Sequence, residues 1–221
     1  MDNTLSMDGS LTTERSQFIM KVYGLLTLSL LSCLGGGVFG GTCLSTMRLS
    51  YMPLLLICLL SVWLVRALRH VPGLNLVVLF GFTFIQGAIV GPLLFAMHAQ
   101  GFGPVIAEAG ITTFGTFAAL TAYVFWSKTD FSYLRGFVFA GLMALIISSV
   151  FGWLFGMGAV AHLAMSYVGV LVFVGFILYD TSNIIRKFPT NEYVIATLEL
   201  FLDILNLFLY ILDIFMSRER R

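Results

Sequence analysis

Charge is scarce in this chain. Only 10% of its 221 residues are Asp, Glu, Lys or Arg, while 59% are hydrophobic. Soluble domains carry roughly 25% charged residues, so a water-exposed surface cannot be built from this composition and no separate soluble domain is expected. A formal net charge of +1 without any Lys/Arg block argues against nucleic acid as a partner. Cysteine is scarce too. Cys33, Cys43 and Cys58 form no CxxC pair and read as small apolar packing residues rather than a disulfide framework. His70, His98 and His162 lie on separate segments with no second ligand at metal spacing, so a zinc site is not expected. The first 17 residues hold Asp2, Asp8 and Glu14 with a single late Arg15. No basic region precedes a cleavage site there, so the first apolar run is expected to stay as a helix.

What the chain has is apolar runs. Seven approach the length of about 20 residues that a membrane helix needs: Phe18 to Phe39, Met52 to Ala67, Leu74 to Met97, Gly103 to Trp126, Tyr133 to Phe155, Val160 to Tyr179, and Tyr193 to Met216. The second is the shortest. Pro72 with Gly73, Gly101 to Gly103, and Pro189 mark connections between them. The predicted architecture is an all-α integral membrane protein, a seven-helix bundle over residues 18–216. A polar cytoplasmic segment (1–17) precedes it and a short basic tail (217–221) follows.

With the N-terminus in the cytoplasm, the inner segments collect Arg15, Lys21, Arg66, Arg69, Lys128, Arg135, Arg186 and Lys187, and the outer loops only Arg48. The positive-inside rule favours that orientation. Arg218, Arg220 and Arg221 oppose it, because an odd number of spans puts the C-terminus outside; the alternative is a re-entrant last segment. Gly37 with Gly41, Gly87 with Gly91, and Gly152 with Gly156 are small-xxx-small pairs that let helices approach closely. Trp126, Tyr133, Trp153 and Tyr193 fall near span ends, where interfacial aromatics sit.

The last run carries a polar stripe. Glu199, Asp203, Asn206, Tyr210 and Asp213 follow one another at steps of four, three, four and three, which stacks them on one helical face. A helix facing lipid all round would not hold three carboxylates, each costing about 2.5 to 3.5 kcal/mol near the bilayer centre. This face must line an enclosed polar site. Asp180, at the end of the sixth run, precedes a hairpin that turns near Phe188 to Asn191. If the sixth helix continues to Arg186, Asp180 lies ~9 Å from its end and Asp203 ~15 Å from the start of the seventh, so the two carboxylates can meet. Such a pair tends to share a proton and to titrate as a unit, a natural pH sensor. Glu108, stacked with Thr112 and Thr116, forms a weaker stripe that either lines the pathway or snorkels to water. Arg66 is the inner-side cation nearest to the pair and a candidate latch, or else an interfacial anchor.

The run Gly175 to Ile184 (GlyPheIleLeuTyrAspThrSerAsnIle), with Glu199 to Leu209 (GluLeuPheLeuAspIleLeuAsnLeuPheLeu), resembles the C-terminal signature of the Bax inhibitor-1 family. Glu108 to Phe114 and Lys128 to Leu134 are similar to that family's fourth-helix segment and the loop before its fifth helix. The resemblance implies a seventh helix wrapped by the other six, and an aspartate pair acting as the pH-responsive element of a calcium leak pathway. Carried to this sequence, that pair is Asp180 and Asp203. Asp213 departs from the family pattern and extends the acidic line toward the outer mouth. The short chain and its PheProThrAsnGlu loop look more like bacterial members, which implies the inner membrane.

Three functions compete at this level. In a calcium leak, Asp180 and Asp203 would be the ligands of a weak, hydrated site, assisted by Glu199, Asn206 and Asp213. Calcium takes about six to eight oxygens, which these and water supply in part; calcium is then cargo, and no cofactor is expected. An intramembrane aspartyl protease would also use paired aspartates, but Leu200, Phe201 and Leu202 precede Asp203 where such enzymes have glycines. The expectation is therefore not an enzyme. A membrane-embedded regulator of other membrane proteins, quality-control proteases or cell-death factors, is the third reading.

Overall fold

The computed structural model describes residues 2–44, 51–127 and 129–219, with side chains from residues 13–43, 60–127 and 129–219. Arg48, Lys128, Arg220 and Arg221, which entered the charge asymmetry, lie outside the described residues, as does the side chain of Cys58. The helices are α1 (Asp2–Phe39), α2 (Tyr51–Leu68), α3 (Leu74–Ala99), α4 (Gly103–Ser127), α5 (Arg135–Phe155), α6 (Ala159–Arg186) and α7 (Tyr193–Glu219), and there is no strand among the described residues. A π-helical turn, Gly40–Leu44, ends α1, and a 3-10 turn, Phe131–Leu134, leads into α5.

Among the described residues, six helices (α1 and α3 to α7) are long and apolar enough to cross a membrane. The α2 helix has 18 residues, ~27 Å of rise. The chain is an all-α, multi-pass integral membrane protein. Three element limits differ from the sequence expectation. Helical backbone in α1 reaches back to Asp2 through the polar N-terminal segment. The α6 helix continues past Tyr179 to Arg186, because Asp180, Thr181 and Ser182 are buried rather than solvated. The α7 helix is unbroken to Glu219, so no re-entrant turn interrupts it.

The chain divides into two compact units, Met1–Gly101 with Phe188–Phe201, and Phe102–Lys187 with Leu202–Arg221. In the first, α1 and α3 meet backbone to backbone. A β-carbon on Gly87 would strike the Cys33 carbonyl, and one on Gly91 the Gly37 carbonyl. Two of the three glycine pairs thus serve packing within the chain. Ser32 donates to the Phe80 carbonyl at 2.9 Å, and Phe82 meets Phe201 edge to face at 6.0 Å. In the second unit α6 packs on α4 and α5. The third glycine pair is not a packing motif there. Gly156 lies past the end of α5 at φ 77, a left-handed cap open to glycine.

Trp126, Tyr133 and Trp153 are exposed as expected of interfacial anchors. Tyr193 is not one of them: its hydroxyl accepts from Asn75 at 3.1 Å and the Lys21 ammonium lies over its ring. Burial differs sharply among the spans, from 56% of the apolar window of α7 to 11% of that around α5.

Candidate functional site

Within the second unit, α6 and α7 present matching faces. On α6 the residues His162, Ser166, Gly169, Phe173, Ile177 and Asp180 follow at steps of three or four, one helical face. Asp180 and Asp203 are buried, at 6% and 4% exposure, and their carboxyls lie within interaction reach of each other. An ionised carboxylate has no donor, so a hydrogen bond between the two requires a proton on one of them. Seven residues farther along each helix Phe173 stacks on Tyr210, with ring centroids 5.8 Å apart. Equal steps of ~10.5 Å in opposite chain directions identify an antiparallel register. Gly169 makes room for the Tyr210 ring, which a β-carbon there would overlap.

Beyond Tyr210 the stripe ends on Asp213. Its Oδ2 accepts from the Ser166 hydroxyl and lies 3.2 Å from Nδ1 of His162. Asn206 donates to the Leu202 carbonyl of its own helix at 2.7 Å. Near the carboxylate pair, Thr181 and Ser182 are buried, and Ser182 Oγ accepts from the Phe131 amide at 3.1 Å. That bond ties α6 to the turn before α5. Asp130 caps the same turn, receiving the Ser132 amide. Hydrogen bonding from Lys187, then from Ser132, holds the Asp130 carboxyl well below the usual carboxylate range.

Glu199 belongs to the first unit, where the Arg66 guanidinium lies 3.9 Å from it. Arg66 therefore faces a member of the α7 stripe. One turn on, Arg69 and His70 lie 3.1 and 3.3 Å from Glu192. Arg15 donates to the Phe188 carbonyl and Thr190 to Glu14, pinning the loop before α7 to α1. Glu108 is exposed on α4, whose buried face is Ala109, Thr113, Phe117 and Val124; Glu108 and Thr112 point away from it. Among the described residues no group of three or more His, Cys, Asp or Glu could hold a metal ion. Sequence reasoning missed His162 and Ser166. Their spacing of four, continuing to Gly169 and Phe173, was the available signal.

The family model described as "Inhibitor of apoptosis-promoting Bax1" matches residues 15–220. A membrane protein of Vibrio cholerae serotype O1 is 39% identical over 196 residues, 88% of this chain and 86% of that one. A protein of vaccinia virus (strain Lister) called Golgi anti-apoptotic protein is 38% identical over 198 residues, 86% of this chain and 81% of its own. Bax inhibitor 1 of Schizosaccharomyces pombe is 34% identical over 209 residues, 92% of this chain and 77% of its own.

Proposed function

Since the chain belongs to the Bax inhibitor-1 family, we propose that it is a pH-sensitive calcium leak channel or transporter of a bacterial inner membrane, with Asp180 and Asp203 as the sensor. The observation that carries this reading is the apposition of two buried carboxyls on adjacent helices. Such a pair is held most cheaply with one shared proton. When that proton leaves, two like charges face each other in a medium of low dielectric constant, and the contact is driven apart unless a cation takes the proton's place. Calcium fits the all-oxygen character of the pair, with Asn206 one turn away. A site with few fixed ligands binds weakly and releases readily, as passage requires. Arg66, held at Glu199, is the cation proposed to restrain α7, so its loss should raise basal leak.

The residues before Asp203 support a sensor over a protease: Leu200 and Phe201 are fully buried, and no glycines stand there to leave room for a substrate strand. A second reading, regulation of other membrane proteins, draws on the anti-apoptotic names of the relatives. Purified protein in liposomes loaded with a calcium dye separates the two. Flux that depends on pH in the wild type and loses that dependence in Asp203→Asn is the expected result. A wild-type protein that passes no calcium at any pH sinks the leak and leaves the regulator.

A further inference from the structure

Where α4 and α6 finish and α5 begins, basic residues of the second unit gather on one short turn. Arg186 donates to the Thr129 carbonyl at 3.1 Å, and Lys187 donates to the Ser132 hydroxyl at 2.7 Å. The Arg135 amide donates to the Ser132 carbonyl across a single 3-10 turn, a rise of about 6 Å. One carboxylate answers them. Asp130 lies 2.7 Å from the Lys187 ammonium, and no other acid stands in residues 123–137 or 183–187. Arg135 and Arg186 are exposed and form no ion pair among the described residues. Beside them Trp126, Tyr133 and Phe137 are 87%, 70% and 63% exposed, along a span whose window is 11% buried, so lipid rather than protein covers these rings. A ligand suited to this place has an anionic head and an apolar tail. We infer that the turn 129–135, with Arg135 and Arg186, is the headgroup site of an anionic phospholipid, whose acyl chains lie along Phe137 and α5.

The basic residues of the first unit show why this group is singled out. Arg66 lies 3.9 Å from Glu199, Arg69 and His70 lie 3.1 and 3.3 Å from Glu192, and the Lys21 ammonium sits over the Tyr193 ring. Protein groups already face those cations. At the turn 129–135, once Lys187 is set against Asp130, the charges of Arg135 and Arg186 are left without a protein counter-charge. A guanidinium matches phosphate oxygens two at a time, and basic groups between membrane helices at headgroup level recognise anionic lipids. Trp and Tyr belong at that same level. A zwitterionic lipid brings its own cation, and a free phosphate brings no tail for the aromatic flank. Charge and shape together therefore select an anionic phospholipid. The inference makes no use of the carboxylate pair and stands whether or not calcium passes.

Delipidated full-length protein in detergent, offered equal amounts of phosphatidylglycerol and phosphatidylcholine and read by native mass spectrometry, should retain phosphatidylglycerol preferentially. Arg135→Gln and Arg186→Gln should each lower that preference about fivefold. Arg69→Gln, which removes a cation already paired with Glu192, should leave it unchanged, and excess inorganic phosphate should not compete. One measurement on the wild type needs no variant to fold: phosphatidylglycerol with a photoreactive group on its acyl chain should crosslink in liposomes to the start of α5, around Phe137. Equal retention of the two lipids, a preference that survives the double variant Arg135→Gln/Arg186→Gln, an equal loss in Arg69→Gln, displacement by phosphate alone, or crosslinks confined to the first unit would each overturn the assignment.

Discussion

Lys187, one residue beyond α6, holds its ammonium 2.7 Å from the carboxylate of Asp130, which caps the turn leading into α5. The same ammonium donates to Ser132 at 2.7 Å, and Arg186 beside it donates to the Thr129 carbonyl at 3.1 Å. The end of α6 is thus tied to the loop before α5 at three points.

That contact has a pH signature. The native carboxyl of Asp130 titrates below its unfolded value of about 3.9, so its contribution to stability is complete above that value and is lost as pH falls through the native one. Asp130→Asn should therefore lower the thermal midpoint by the same amount from pH 7 down to about 5, with the gap to wild type narrowing only below about pH 4. A gap that is unchanged at strongly acid pH would assign the effect to the cap hydrogen bonds rather than to the charge.

Asp180→Asn and Asp203→Asn should each remove most of the pH response of calcium flux, and the double variant should add little more, because one shared proton is being removed twice. Independent, additive losses would mean that the two do not act as one sensor.

The glycine contact between α1 and α3 makes a prediction about stability alone. Gly87→Ala puts a methyl group against the Cys33 carbonyl, backbone that cannot rotate away, and should cost about 1 to 3 kcal/mol by overpacking. Gly24, with nothing near its missing β-carbon, is the control: Gly24→Ala should be neutral or stabilise by up to about 1 kcal/mol through helix propensity. Thermal unfolding in detergent measures both, and equal effects would remove the close approach as the cause.

Topology is open to labelling. Single cysteines replacing Gln100 and Gly158 in a cysteine-free background should react with an impermeant reagent from outside, and one replacing Thr190 only from inside. The opposite pattern would invert the orientation derived from the basic residues.

The helices and the polar stripe were legible because both are periodic signals. A membrane helix declares itself by length and a buried face by steps of three and four, and the meeting of Asp180 with Asp203 followed from hairpin geometry. What could not be read was which partner each polar side chain finds across a gap in sequence. Arg66 lies by Glu199, a choice made by side-chain reach rather than by spacing. His162 gains a partner 51 residues away, so a search for neighbouring ligands along the chain passes over it. Gly156 matched a packing motif letter for letter yet ends a helix, because the motif says nothing about whether the helix continues. Polar residues after Tyr179 suggested an exit from the membrane, whereas burial of Thr181 and Ser182 keeps them inside the protein.

The contrast in burial between α5 and α7 bears on how such a chain drifts over generations. Around α5 only 11% of the window is buried in protein, so its outward residues answer to the lipid, which accepts one aliphatic or aromatic side chain about as readily as another. Along α7, with 56% buried, nearly every position must fit named neighbours and five also carry the polar stripe. Neutral replacement should therefore run fast in the fifth helix and slow in the seventh, and a random library should lose its α7 variants first.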